Sequence, residues 1–153
     1  MYAPHTGRVK HDITELDDLY STLNELVCNL SNISSSLLLM GGDFNAKIGM
    51  RTQDDRCLGR YSRGRRNVSG QQLVEFCDAH NLFIGNSSFQ HPARHQTTWE
   101  QQRINKKTNK VVTIYNQIDY VIMNEAHKHT LVDARSYSGT NVDSDHRHLF
   151  SAE

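Results

Sequence analysis

Three short polar motifs carry the residues whose types and spacing could do chemistry: Gly42-Asp43-Phe44-Asn45, Gln117-Ile118-Asp119-Tyr120 and Ser144-Asp145-His146. Each adjoins an apolar segment and sets an acid, an amide or an imidazole where a buried strand would run out into a loop. Hydrolysis of a phosphodiester needs a deprotonated water, charge compensation on the phosphoryl oxygens and help for the leaving oxygen. Carboxylates are hard oxygen ligands suited to Mg²⁺, which takes few protein ligands and keeps several waters. Asp43 and Asp145 are the leading candidates for that role. Asn45, two positions beyond Asp43, can donate to a phosphate oxygen without adding negative charge. His146 can move a proton or, when charged, stabilise the phosphate, and Asp119 can hold its ring in one tautomer. Taken singly, each motif has an ordinary reading: a Gly/Asp/Asn turn, an outward-facing strand residue, a polar loop. Their joint occurrence in this order is what makes them specific.

The elements that must position these residues follow from hydrophobic spacing. From Asp12 to about Ile33, Ile13, Leu16, Leu19, Leu23, Leu26, Val27 and Leu30 recur at intervals that place them on one helical face. Asp12 and Glu15 resemble a capping box at its start. Leu37-Leu38-Leu39-Met40 is a short apolar run suited to a strand buried on both faces, and it delivers Asp43 and Asn45 at its far end. Arg51–Arg66 reads as a long irregular loop. A second helix is predicted from near Ser69, with Gln72 completing a capping box, Leu73, Phe76, Cys77 and His80 on one side, and Asn81 as the stop. Leu82-Phe83-Ile84 reads as a strand, and Thr97–Trp99 and Val111–Tyr115 as the arms of a hairpin around Lys106–Asn109. Ile118–Met123 reads as a further strand, and His148-Leu149-Phe150 as the start of a last one.

Composition bounds the class. A chain of 153 residues, 37% hydrophobic and 22% charged, reads as one ordinary globular domain rather than a disordered chain. Three cysteines, Cys28, Cys57 and Cys77, are too few and too scattered for a disulfide framework or a zinc knuckle. No apolar run approaches the ~18 residues that span a bilayer, and the first residues lack the pattern of a signal peptide. A nuclear or cytoplasmic protein, neither secreted nor membrane-bound, is therefore expected. Formal net charge is zero, yet six arginines fall between Arg51 and Arg66, and Arg103–Lys110 holds four cations and no acid. Two basic loops on a neutral body could contact phosphates, or could simply be solvated. The pairs His91/His95 and His127/His129 have metal-like spacing, but without acidic partners they read as surface residues.

Gly42–Asn45, Asn116–Tyr120 and Ser144–His146 resemble the later motifs of the endonuclease/exonuclease/phosphatase superfamily, with Thr98-Trp99 resembling its Thr/Phe-Trp element and Tyr2-Ala3-Pro4-His5 its Tyr-x-Pro motif. The run Gln96-Thr97-Thr98-Trp99, together with Asn116-Gln117-Ile118-Asp119-Tyr120 and Ser144-Asp145-His146-Arg147, is similar to the endonuclease domains of LINE-type (non-LTR) retrotransposons and to craniofacial development protein 2-like sequences. The resemblance implies an α/β fold, a truncated four-layer α/β/β/α sandwich in which residues 1–153 form a partial domain, its N-terminal part absent and its last strand short. It implies Mg²⁺, or Mn²⁺, as cofactor and DNA as substrate, nicked to leave a 3′ hydroxyl. Carried onto this sequence, Asp43 would activate or position the water and Asn45 and Tyr2 would bind the phosphate. Asp145 with Asp43 would hold the metal, His146 would contact the scissile phosphate and Asp119 would pair with His146. The Asn and Glu motifs that precede Tyr-x-Pro in that superfamily have no counterpart here, so weak metal binding is expected, and whether the fragment is active by itself stays open. No stable protein partner is implied beyond association through exposed sheet edges. Two other readings stay open: a phosphoinositide or sphingolipid phosphatase of the same superfamily, and a non-catalytic nucleic-acid-binding module.

Overall fold

A computed structural model describes residues 9–31, 36–137 and 145–152, of which residues 9–15, 30 and 31 are described by their backbone only. Tyr2 and its motif, and Ser144, lie outside the described residues. The first helix, α1, spans Val9–Ser31. It begins three residues before Asp12, so Asp12 is not its cap. Leu16, Leu23 and Val27 are buried along it, as the spacing predicts, whereas Leu26 is 52% exposed. No described helix is long and apolar enough to cross a membrane.

Strand β1 spans Leu39–Asp43, two residues later than the apolar run suggests. It alternates between exposed and half-buried positions before closing on buried Asp43, and Leu37 and Leu39 stay largely exposed. Burial on both faces is thus corrected: among the described strands β1 is an edge, paired on one side only. Helix α2 spans Val68–Ala79. Its N-cap is Asn67, whose side-chain oxygen accepts from the Gly70 N–H, and Ser69 lies inside the first turn instead of capping it. Asn81 ends the helix in the left-handed region, at φ 51°, a conformation that Asn tolerates better than most side chains. Strand β2 (Leu82–Ile84) follows directly.

The hairpin consists of β3 (Trp99–Asn105) and β4 (Lys110–Asn116), paired antiparallel from Trp99↔Asn116 to Asn105↔Lys110. Strand β5 (Asp119–Asn124) then runs between β1 and β2, antiparallel to both, in the order β1-β5-β2. A further strand, β6 (Asp133–Tyr137), pairs with the last one, β7 (His148–Ala152). Sequence reasoning does not find β6, because its buried positions are only Ala134 and Ser136 and leave no apolar pattern.

One face of the β1-β5-β2 sheet holds the main core. Leu82, Ile84, Tyr120 and Ile122 meet Leu73, Val74 and Cys77 of α2, Val27 of α1, and Phe44 and Ile48 from the chain after β1. Tyr20 of α1 and Phe76 of α2 touch through their rings, with centroids 5.3 Å apart. The opposite face packs Phe83 and Met123 on Leu131 and Ala134. Cys57 and Cys77 are buried free thiols, and Cys28 is exposed.

The Arg51–Arg66 loop is less irregular than expected, because one arginine fastens it. Arg66 donates through Nε to the Ile48 carbonyl at 2.6 Å and through Nη1 and Nη2 to both oxygens of buried Asp55, at 2.9 and 2.5 Å. The same carboxylate accepts from the Thr52 N–H at 2.7 Å. Arg66 therefore holds the Asp55 carboxyl below its ordinary range, at about 2. A carboxyl whose folded value is depressed contributes stability in full above its unfolded value near ~4, and loses it as pH falls toward 2. The urea midpoint of the wild type is expected to fall between about pH 5 and pH 2. Asp55→Asn, less stable at the upper end, should lose less over the same interval; an identical pH profile would refute this role.

Candidate active site

The three polar motifs converge at one end of the β1-β5-β2 sheet. Asp43, the last residue of β1, is paired in register with Asp119, the first of β5. The chain of 145–147 lies beside β3: Trp99 and His146 form an antiparallel bridge, the Glu100 N–H donates to the Asp145 carbonyl, and the Arg147 N–H donates to the Thr98 carbonyl. Arg147 braces this segment further, with one guanidinium nitrogen on Glu100 and another on the Arg94 carbonyl.

This pairing brings His146 between the two acids. Its Nδ1 lies 3.1 and 3.3 Å from the Asp119 carboxylate oxygens, and its Nε2 lies 3.7 Å from Asp43 Oδ2. An Nδ1–H donated to Asp119 fixes the tautomer, leaving Nε2 toward Asp43. Asp43 and Asn45 are buried, while His146 is about one-third exposed, so the group is open to solvent from the histidine side. One ligand atom from each of Asp43, Asp119 and His146 falls within 4.8 Å of the others. Two carboxylates and an imidazole make a donor set that fits a small divalent cation.

Local bonds explain why these side chains sit where they do. Buried Phe44 anchors the chain between Asp43 and Asn45, its ring 6.2 Å from that of Tyr120. Asn45 then adopts φ 48°, and its N–H donates to Asp43 Oδ1 at 2.8 Å, an Asx-type turn that orients the carboxylate. Asp119 is set by Thr98, whose hydroxyl oxygen accepts from the Ile118 and Asp119 N–H groups at 3.0 and 3.1 Å. Tyr120 is fully buried with its hydroxyl 2.9 and 2.7 Å from the Ala46 and Gln117 carbonyls, tying the two motif loops together. Burial first, then the negative charges of Asp119 and Asp43, hold that hydroxyl far above its ordinary range.

Of the residues singled out from sequence, Asp43, Asn45, Asp119 and His146 are thus brought together. Asp145 lies outside the three-residue group and is exposed, its carboxylate accepting from the Trp99 indole N–H at 2.8 Å. His91 is not a surface residue: it is half-buried, with Nε2 2.7 Å from Asp133. Sequence reasoning misses the supporting roles of Thr98, Tyr120 and Asn86. Buried Asn86 accepts from the Val121 N–H and donates to the Asp119 carbonyl. Its position just past an apolar strand resembles that of the motifs, but nothing in the local sequence shows that its partners lie on β5.

Known proteins resemble this chain in fold and, over part of its length, in sequence. No protein-family model matches the chain. The endonuclease domain of TRAS1, a telomere-specific non-LTR retrotransposon, superposes with a TM-score of 0.53 over 84% of this chain and 48% of that domain, at 16% identity. The fold is that of an endonuclease domain. The architecture is mixed α/β with antiparallel sheets, as the motifs suggest. Craniofacial development protein 2 from Tragulus javanicus and from Bos taurus is 31% and 32% identical to this chain over 115 residues. Those 115 residues are 75% of this chain, and the match spans only 18% of each relative.

Proposed function

We propose that this chain carries the hydrolytic site of a metal-dependent phosphodiesterase whose substrate is DNA, cut on one strand. The observation that carries the reading is the placement of Asp43, Asp119 and His146 within 4.8 Å of one another at the mouth of an endonuclease-type fold. In the reaction, a water oxygen bonds to phosphorus, the P–O3′ bond breaks, and a proton passes to the departing 3′ oxygen. Asp43 accepts the proton of the attacking water or holds that water in line. His146, its Nδ1 bonded to Asp119, presents Nε2 to the phosphate, where it shares the developing negative charge or delivers a proton. Asn45 binds a non-bridging oxygen, as does Tyr2.

Asp43 would hold a Mg²⁺ or Mn²⁺ ion, with Asp145 as a second carboxylate whose orientation the Trp99 indole fixes, as partners of metal ligands commonly do. A bound ion supplies Lewis-acid charge compensation at the phosphoryl oxygens.

Supercoiled plasmid incubated with the protein and Mg²⁺ is expected to convert to open circles, with no conversion in EDTA. Asp145→Asn should slow the reaction about 10- to 100-fold, the range seen when a ligand or its support is weakened, and extra Mg²⁺ should recover part of the loss. A wild type that leaves plasmid supercoiled at all Mg²⁺ and Mn²⁺ concentrations would refute the reading.

A further inference from the structure

Beside the acidic cluster the surface changes sign. A cleft of about 370 Å³ begins two residues beyond Asn45, at Lys47, and two residues before Asp119, at Gln117. Arg63 and Arg65 line part of its wall, and Tyr115 and Asn116 at the base of the hairpin another part. No carboxylate among the described residues lines it. Among the described residues, the side chains of Lys47, Arg63 and Arg65 have no hydrogen bond or ion pair within the protein. Three other arginines of the loop are engaged, Arg51 with the Asp55 carbonyl, Arg56 with the Asp78 carbonyl and Arg66 with Asp55, while Arg60 has no such bond among the described residues and lies in a different cleft.

The wall is also held in place before any ligand arrives. Arg66, next to Arg65, is locked to Ile48 and Asp55, the Gly64 carbonyl accepts from the Met50 N–H, and Gly64 turns between the two free arginines at φ 81°. Three unpaired cations and an exposed aromatic ring on a fixed frame suit a run of phosphodiesters with adjoining bases. They exceed what one small phosphate ester requires. A second cleft, of about 430 Å³, fits less well, since it is also lined by Glu125, its Lys128 is paired with that carboxylate, its Arg51 and Arg56 are bonded to the backbone, and only Arg60 among its cations is unengaged.

We infer that the Lys47/Arg63/Arg65 cleft binds the polynucleotide backbone adjoining the scissile phosphate and so selects a nucleic-acid strand over a small phosphate ester. The inference rests on the hydrolytic reading of Asp43, Asp119 and His146 for the word scissile, and its test separates the two. Binding of a short fluorescein-labelled DNA duplex is measured by anisotropy in EDTA over a range of NaCl concentrations. Each phosphate contact adds about 0.9 to the slope of log affinity against log salt, so Arg63→Ala/Arg65→Ala should flatten the slope by about 2 units and weaken binding at least about tenfold at low salt. Arg63→Lys/Arg65→Lys, which keeps the charge, should retain most of the slope. Arg60→Ala/Lys128→Ala, in the second cleft, should leave it unchanged.

Hydrolysis of bis(4-nitrophenyl) phosphate with Mg²⁺ should be equal in the wild type and Arg63→Ala/Arg65→Ala, since that ester is too small to reach the cleft. Wild-type slope and affinity in the alanine pair, or an equal loss in the second-cleft pair, would overturn the inference. So would loss of binding to phosphatidylserine/phosphatidylcholine vesicles with duplex binding intact, which assigns the cleft to lipid headgroups. If the wild type hydrolyses neither ester nor duplex, the hydrolytic reading fails, and the salt slope still decides the cleft.

Discussion

Asp119→Asn is expected to lower the rate of plasmid nicking about 10³- to 10⁴-fold while leaving the fold unchanged. The substitution keeps size and shape, and the Asp119 N–H keeps its bond to the Thr98 hydroxyl. What it removes is the acceptor that defines the His146 tautomer. With a carboxylate 3.1 Å away, Nδ1 carries the proton and Nε2 faces the Asp43 side. An amide can instead turn its NH₂ toward Nδ1, which then becomes an acceptor and sends the proton to Nε2. The same exchange at a carboxylate that orients a histidine in other hydrolases costs a loss of this order, by stabilising the wrong tautomer. Asp119 acts through His146, so the two losses must overlap: the Asp119→Asn/His146→Ala pair should be about as slow as His146→Ala alone, and the reduction should appear in kcat rather than KM. Additive losses, or a rise in KM with kcat intact, would show that Asp119 has a separate role at the substrate.

The convergence of Asp43, Asp119 and His146 is legible because each lies at the end of a segment with a clear apolar signature. Phe44, Ile118, Tyr120 and Ile122 fix where the strands run, and register then follows from which face is buried. The sequence pattern misplaces strand β1 for a local reason. The apolar run Leu37–Met40 outweighs Gly41 and Gly42, yet the ladder includes both glycines and leaves Leu37 outside. The supporting residues are not legible at all. Thr98 acts on N–H groups 20 and 21 residues away, Asn86 on one 35 residues away, and nothing local marks a hydroxyl or an amide as having a distant partner. Asn67 illustrates the same limit at short range. Ser69 with Gln72 has the better capping pattern, but Asn67 also accepts from the Lys47 N–H at 2.9 Å, and that tertiary bond draws the helix start two residues forward. The basic loop can be read as a charge excess, while its division into a structural Arg66 and the unpaired Arg63 and Arg65 depends on Asp55 being buried beside only one of them.

Gly70→Ala is expected to destabilise the protein by about 3 kcal/mol or more, against the sign that helix propensity alone would give. Alanine normally stabilises a helical position over glycine by roughly 0.5–1 kcal/mol. Here a Cβ would sit 1.8 Å from the Lys47 carbonyl oxygen and 2.5 Å from its carbon, both backbone atoms that no rotamer change can move. Relief requires the first turn of α2 to withdraw from the 45–48 segment, and that movement breaks the bonds that converge there. The Asn67 side chain accepts from the Gly70 and Lys47 N–H groups, and the Asn67 N–H donates to the Lys47 carbonyl. Overpacking against flexible side chains costs about 1–3 kcal/mol, and backbone contact should lie at or beyond the upper end. Gly41→Ala is the matched control, since a Cβ there meets nothing within 4 Å, and its stability should stay within about 0.5 kcal/mol of wild type. Urea unfolding distinguishes these outcomes, and a Gly70→Ala protein as stable as Gly41→Ala would refute the argument. Because the displaced segment begins at Asn45, the Gly70→Ala protein that remains folded should also nick plasmid more slowly. Stability and chemistry are linked here through one close approach of helix to loop: the cap that starts α2 also fixes the backbone that carries Asn45 and Lys47 to the site.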